Sequence, residues 1–325
     1  RGGSSSQHPR TGIPVYSFAG VNDKFTAFSL PRLWALLYRI YRKHKFDVIF
    51  PHLTPRYALF SLPLAKSKKV PMVLWYAHRQ VNWQIKAAHW FCAKRVSSYP
   101  ASYNYKPAEV SFIGQGINTK RFCPLPEIPP AQPFTIVYPG RISGIKRQQL
   151  LVTTLQLLYA GKNAAALPGL KCRIVGDAQL PPHQLYRQQL LAMTQRLPPR
   201  LEISVEMGVP SRDMPALYQQ SQLSVNLCPP GAPDKAALES LSCGIPVVTT
   251  NQTLRGLFSP ELEPFYCPDD SPEGIARILE GAIQLSPARR KTAGQNLRKK
   301  VITLCDLSLF MDRLVALFQQ AIGGE

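Results

Sequence analysis

Residues 223–249 read LSVNLCPPGAPDKAALESLSCGIPVVT, and this stretch decides the fold. Leu223–Leu227 is an apolar run of strand length, and Cys228–Pro233 is a proline- and glycine-rich loop. Lys235–Ser242 favours helix, with Asp234 placed to cap it by accepting from free backbone N–H groups. Gly244-Ile245-Pro246 then stops the helix, because glycine tolerates the exit conformation and proline cannot continue it. Pro246–Thr249 is apolar and β-branched again. A strand, a helix and a strand in that order make a crossover, so the two strands run parallel.

The same alternation extends outward. Strands are expected at Phe134–Tyr138, Cys172–Val175 and Leu201–Glu206, and helices at Arg147–Ala160, Pro182–Arg196 and Met214–Gln220. Ahead of them Cys123–Pro133 (CPLPEIPPAQP) has the composition of an interdomain linker, since prolines fix the backbone and remove donors. The first part alternates as well. It shows strand candidates at Ile13–Phe18, Asp47–Phe50, Val70–Ala77 and Val110–Ile113, and helices at Pro31–Lys45, Arg56–Lys66 and Gln84–Val96. Asp47–Phe50 reads as a buried strand, and VPMVLWYA (70–77) as an inner parallel one. The pattern implies an α/β protein of two doubly wound, Rossmann-like domains. A tail helix, Leu307–Ile322, carries a wide apolar stripe that must pack on something.

Composition bounds the partners. The 325 residues, 45% hydrophobic, suffice for two domains with real cores. No apolar run is long enough to span a membrane, and Arg1–Arg10 lacks the apolar core of a signal peptide. Seven scattered cysteines with no CxxC speak against a disulfide framework or a zinc site, and for free thiols in a reducing compartment. The formal charge is +20 and uneven: residues 1–130 hold 19 Lys/Arg against 4 Asp/Glu, the remainder 20 against 15. The first part is therefore expected to meet something anionic, such as lipid headgroups, a phosphorylated acceptor or nucleic acid. Arg32, Arg39, Arg42, Lys43 and Lys45 with Trp34 mark one helix for that role, although a helix packed on its own sheet reads the same way.

In parallel sheets ligands bind beyond the carboxyl ends of the strands, where helix N-termini offer N–H groups to anions. After Phe134–Tyr138 comes PGRISGIK (139–146), in which Arg141 and Lys146 precede a helix and suit a diphosphate. A solvated turn would look alike. After Leu223–Leu227, Glu239 stands one turn inside an otherwise apolar helix, fit to accept from two vicinal hydroxyls or simply to face solvent. His78-Arg79-Gln80 follows Val70–Ala77, and His52 follows Asp47–Phe50. Asp269-Asp270 reads as an acidic cluster leading a helix, and no DxD-like pair lies in the 227–235 loop.

GRISGIK (140–146) with LESLSCGIPVV (238–248) resembles the family-4 retaining glycosyltransferases of the GT-B fold, also called glycosyl transferases group 1. IVGDAQLP (174–181), GVPSRDMPALYQQSQLSVN (208–226) and IGQGINTKRFCP (113–124) agree more loosely. The resemblance implies two domains facing across a cleft: 1–124 on the acceptor side, and 125–306 on the nucleotide-sugar side. A C-terminal helix, 307–325, would cross back to the first. It also implies a glycine pair after a first strand. Only Gly2-Gly3 offers one, so that strand would lie before Arg1.

Carried over by position, Arg141 and Lys146 hold the donor diphosphate and stabilise the leaving group. Glu239 binds the ribose, and Val209 lies beside the base. Gly140, Gly231, Asp234, Lys235 and Leu238 complete the donor side. His78 faces the donor sugar, while His52 and Arg79 line the acceptor side. One departure stands out. The carboxylate expected eight residues before Glu239, which in the family contacts the transferred sugar, is Gly231 here.

The implied activity moves a hexose-type sugar from a UDP- or GDP-sugar to a hydroxyl of a glycan, lipid-linked or phosphorylated acceptor. It is expected to retain configuration and to need no cofactor or metal. The setting would be cytoplasmic, at the inner face of the membrane. Other readings stay open: a silent nucleotide-sugar-binding protein, an epimerase or a phosphorylase of the same fold. A nucleic-acid binder has the charge but no motif.

Overall fold

The computed structural model describes residues 5–7, 11–17, 29–129, 131–229, 231, 234–259, 262 and 265–324. Gly2-Gly3 and Phe18 lie outside them. Two compact units emerge, one over 1–113 and 313–325, the other over 114–312.

The first unit opens with β1 (Ser5–Gln7) and β2 (Pro14–Tyr16), an antiparallel pair. The strand expected at Ile13–Phe18 is thus a short, largely exposed arm outside the parallel sheet, because its polar flanks provide no face to bury. Next come α1 (Leu30–His44), α2 (Pro55–Lys68), β3 (Val73–Trp75), α3 (Trp83–Phe91), β4 (Lys94–Ser97) and β5 (Ser111–Phe112). The sheet is β3-β4-β5, all parallel. Asp47–Phe50 does not form the buried strand expected of it. The chain makes two isolated parallel bridges there, Ile49 to Met72 and His52 to Trp75, and residues 48–50 are only half-buried.

The helix expected over Gln84–Val96 stops at Phe91, and Lys94–Ser97 becomes a strand. Its ladder with Val73–Trp75 is a non-local pairing that helical periodicity cannot reveal. Helix α3 packs on α2, with Ala58, Ala65, Met72, Leu74, Ile85 and Ala88 in one apolar cluster.

The second unit contains β6 (Phe134–Pro139), α4 (Gln148–Ala160), β7 (Leu170–Val175), α5 (Pro181–Met193), β8 (Leu201–Glu206), α6 (Met214–Gln219), β9 (Leu223–Asn226), α7 (Lys235–Ser242) and β10 (Val247–Thr249). Its sheet is β10-β9-β6-β7-β8, parallel throughout. All six residues of β6 are buried at its centre. Successive strands move to one side of β6 through β8 and to the other side from β9 onward. The order therefore reverses between β6 and β9, the switch point where doubly wound sheets bind ligands.

Three helices follow: α8 (Pro272–Gln284), α9 (Pro287–Cys305) and α10 (Leu307–Gly323). Sequence reading singles out only the last. Both α8 and α9 start on a Ser-Pro pair whose serine caps the helix, a signal present in the sequence. Asp269 accepts from Ser271 N just ahead of α8, so the acidic cluster does lead a helix.

The proline stretch is anchored within the second unit, where Gln222 Nε2 donates to Ala131 O and Ser242 Oγ to the neighbouring Phe122 O. From Arg313 onward α10 belongs to the first unit, and Phe318 packs its ring 5.1 Å from that of Phe50.

Candidate functional site

The site lies beyond the carboxyl ends of β6 and β9. After β6 the chain turns sharply at Gly140 (φ 148°), whose N–H donates to Val175 O on β7. Gly176 passes so close that a Cβ on it would lie 1.9 Å from Gly140 O. No side chain fits on Gly176, and the positive φ of Gly140 favours glycine there, so this pair lets the two loops approach. Buried Gln148, at the start of α4, donates to Arg141 O at 3.0 Å and fixes the loop from behind. Tyr138, fully buried at the end of β6, donates to Lys146 O and accepts from Leu227 N at 3.1 Å. One hydroxyl thereby pins together the loops after β6 and after β9.

Between these loops is a pocket of about 450 Å³. Gly140, Arg141 and Lys146 line it from β6. Gly176, Asp177, Gln179, Gly208, Val209, Ser211 and Met214 line it from the loops after β7 and β8. Asp234, Lys235, Ala236 and Glu239 line it from α7. The cations and the carboxylate singled out in the sequence thus share one cavity.

Their states differ. Arg141 is exposed, and its guanidinium makes no hydrogen bond or ion pair with the described residues. Lys146 is paired with Asp234; the two side chains are 18% and 12% exposed. Asp234 is held from every side. Its Oδ2 also accepts from Asn226 Nδ2 at 2.8 Å and Cys228 Sγ at 3.1 Å, and its Oδ1 from Ala236 N at 3.2 Å, which caps α7. Burial opposes both charges, yet their mutual attraction prevails, leaving the Asp234 carboxyl below its ordinary range and the Lys146 ammonium above it. Burial and the neighbouring carboxylate push the Cys228 thiol up to about 11, so it stays protonated and donates.

Glu239 is half-buried, and burial raises it to about 7 against the pull of Lys235. Tyr218 Oη lies 3.5 Å from its Oε2 while donating to Ala236 O at 2.9 Å. At neutral pH Glu239 is therefore poised to take or release a proton according to what donates to it.

Gly231 is buried and does not line the pocket. Leu238 points into the core of the second unit and bears on the pocket only through packing. His52, His78 and Arg79 belong to the first unit. There His52 is exposed and stacks on Trp75 (6.2 Å, 6°). Exposed His78 accepts from Gln80 N at 3.1 Å, and Arg79 O accepts from Asn104.

Sequence reading passes over Asp177 and Gln179, although the Gly-Asp following an apolar strand was a usable signal. Asp177 accepts from Gly208 N at 3.0 Å and ties the two loops on that wall. Tyr138 and Asn226 carry no such signal, since each reads as one more strand residue. No three His, Cys, Asp or Glu side chains among the described residues are grouped so that they could hold a metal ion.

The arrangement offers a guanidinium without a partner among the described residues, an ammonium fixed in place and the N-terminus of α7 on one side, with the carboxylate of Glu239, an acceptor for hydroxyls, one turn further along α7. That combination fits a phosphorylated ligand carrying a diol.

Residues 133–284 match the family model described as Glycosyl transferases group 1. No curated protein matches the chain. Among solved structures, the chain is similar to Anabaena HepE in complex with UDP and glucose, at 15% identity and a TM-score of 0.72, covering 92% of this chain and 84% of that one. It is also similar to sucrose-phosphate synthase from Thermosynechococcus elongatus (16%, TM-score 0.77, 99% and 86% covered). A third likeness is to a UDP-forming α,α-trehalose-phosphate synthase from Burkholderia xenovorans (12%, TM-score 0.71, 99% and 90%). At these identities the likeness establishes the fold, that of the GT-B glycosyltransferases.

Proposed function

From a second unit whose residues 133–284 match the family model of the glycosyl transferases group 1, we propose that the chain is a retaining hexosyltransferase using a UDP-sugar donor. One observation carries this reading: Arg141, Lys146 and Glu239 converge on one pocket at the switch point of the sheet. UDP in a structure of the same fold supports the choice of base.

In this reading the donor diphosphate lies on Arg141, Lys146 and the first N–H groups of α7, which meet the charge that grows on the departing phosphate. Ribose hydroxyls donate to Glu239, and the base sits beside Val209. Lys235 adds charge at the rim. Gly231 supplies no carboxylate, and both oxygens of Asp234 are already engaged. In this reading neither Gly231 nor Asp234 acts as a nucleophile on the sugar. Retention then follows from front-face attack: the acceptor oxygen bonds to the anomeric carbon as the bond to the phosphate breaks, and the departing phosphate oxygen takes the acceptor proton. Positioning and fixed charge supply the acceleration. His78 is assigned to the donor sugar, and His52 and Arg79 to the acceptor, a hydroxyl on a glycan or lipid-linked sugar.

Thermal unfolding in the presence of UDP-, GDP- and ADP-sugars tests the donor. A UDP-sugar at a hundred times its dissociation constant should raise stability by about 2.7 kcal/mol. The reading is wrong if no nucleotide sugar stabilises the protein, or if stabilisation survives in Arg141→Ala. Gly231 favours one other reading, donor binding without transfer. Release of UDP in the presence of acceptor glycans, with an α-linked product from an α-linked donor, decides between the two.

A further inference from the structure

Helix α3 turns Ile85, Ala88 and His89 inward. Its outer stripe is Trp83, Lys86 and Trp90, three and seven places apart and so on one side of the helix. The two indoles are 69% and 65% exposed, and Phe91 beside them is 46% exposed. Lysines from other segments close around these rings. Lys106 Nζ lies 4.1 Å from the centre of Trp90, and Lys66 Nζ 5.5 Å from that of Phe91.

Single exposed apolar residues are ordinary; this cluster is not of that kind. The chain has four tryptophans. Trp75 is buried, and Trp34 donates its indole N–H to Phe60 O at 2.9 Å. The remaining two stand exposed on one nine-residue helix, with the Lys106 ammonium over the ring of Trp90. On α1 the indole of Trp34 is thus turned toward α2.

We propose that this face of α3 docks the first unit onto an anionic lipid bilayer, the two indoles at headgroup depth and Lys86, Lys106 and Lys66 on the phosphates. The chemistry argues for lipid. Tryptophan has an apolar body and a polar N–H, which suits the boundary between acyl chains and headgroups. Lysine stems lie along apolar surface while the ammonium reaches outward. The indoles are about 10 Å apart along the helix on a convex stripe, which suits a flat surface. Single-stranded nucleic acid would instead want a basic groove with stacking platforms inside it. The imbalance of 19 Lys/Arg against 4 Asp/Glu over residues 1–130 supplies the long-range attraction. The nearby acid, Glu109, is occupied by His89 at 2.8 Å and Lys106 at 3.1 Å. The inference stands on the first unit alone and is independent of the donor pocket.

Flotation of the full chain with vesicles tests it. Equimolar phosphatidylglycerol and phosphatidylcholine should carry the protein up the gradient, and pure phosphatidylcholine should not. Tryptophan emission should shift to the blue on binding. The Trp83→Ala/Trp90→Ala double variant should bind roughly tenfold or more weakly, and Lys86→Ala about fivefold. Both should keep the parent unfolding temperature and the parent response to a UDP-sugar. Failure to float with phosphatidylglycerol overturns the proposal, as does equal flotation by the double variant. Tight binding of a single-stranded oligoribonucleotide that the tryptophan variant loses, without vesicle binding, would assign the face to nucleic acid instead.

Discussion

The two parallel sheets are built differently. The sheet of the second unit has five strands, and its central strand buries all six of its residues in a core that continues through the surrounding helices. The sheet of the first unit has three strands of two to four residues, its next neighbour reduced to isolated bridges. Site residues follow the same division. In the second unit the loops that carry Arg141, Lys146 and Asp234 are pinned by buried hydroxyls, amides and glycines, whereas His52, His78 and Arg79 sit exposed on loop ends. A preorganised charge site needs a rigid frame, because donors that must first reorient lose the advantage of fixed dipoles.

The sharpest way to break this contrast is Arg141→Ala. The side chain has no structural partner among the described residues, so the unfolding temperature should stay put while kcat/KM falls roughly 10²–10³-fold. Lys146→Ala should lose comparable activity and also stability, because it strands the Asp234 carboxylate among buried groups. A stable, active Arg141→Ala protein would mean that the pocket does not hold the departing phosphate.

Next in size is Asp234. Asp234→Asn keeps the cap on α7 but leaves the Lys146 ammonium without its counter-ion, at a cost of about 3 kcal/mol. Asp234→Ala loses the cap as well and should cost about 1 kcal/mol more. Urea unfolding of the three proteins reads both steps. Equal losses would show that the ion pair, and not the cap, is what matters; an Asp234→Asn protein as stable as the parent would show the reverse.

Asp234 also marks how far the sequence could be read. The βαβ unit at 223–249 was legible because its strand, turn and helix signals are local, and Asp234 was legible as a helix cap for the same reason. Its partner Lys146 is 88 residues away, and the pair forms only once β6 and β9 are neighbours. Lys94–Ser97 was lost to a helix because its strand character is conferred by β3 and β5. The cations and Glu239 were legible by position at strand ends. The difference between a free Arg141 and a bound Lys146 was not, since it depends on tertiary contacts.

Glu239 gives a smaller effect with a definite sign. Burial holds it at about 7, above the 4.5 of an ordinary glutamate, so the folded protein binds this proton more tightly than the unfolded chain. Its contribution to stability is complete below the unfolded value and disappears as pH rises through about 7. With partial solvent screening this amounts to about 1–2 kcal/mol. Unfolding at a series of pH values should therefore show a decline between pH 4.5 and 7 that Glu239→Gln flattens. Ribose hydroxyls favour the ionised form. Nucleotide binding at pH 6.5 should thus release a fraction of a proton, visible by calorimetry in buffers of different ionisation enthalpy and absent in the Gln variant.

The smallest expected effect concerns the first unit. His78 is exposed and its contacts are local: it accepts from Gln80 N two residues on, and its ring lies 6.3 Å from that of Tyr76. His78→Ala should shift stability by no more than about 0.5 kcal/mol. If the units divide the work as proposed, the variant raises the acceptor KM or lowers kcat, while the UDP dissociation constant stays within error. A matching loss of UDP affinity would place His78 on the nucleotide instead, and the separation of a rigid donor frame from an open acceptor surface would no longer hold.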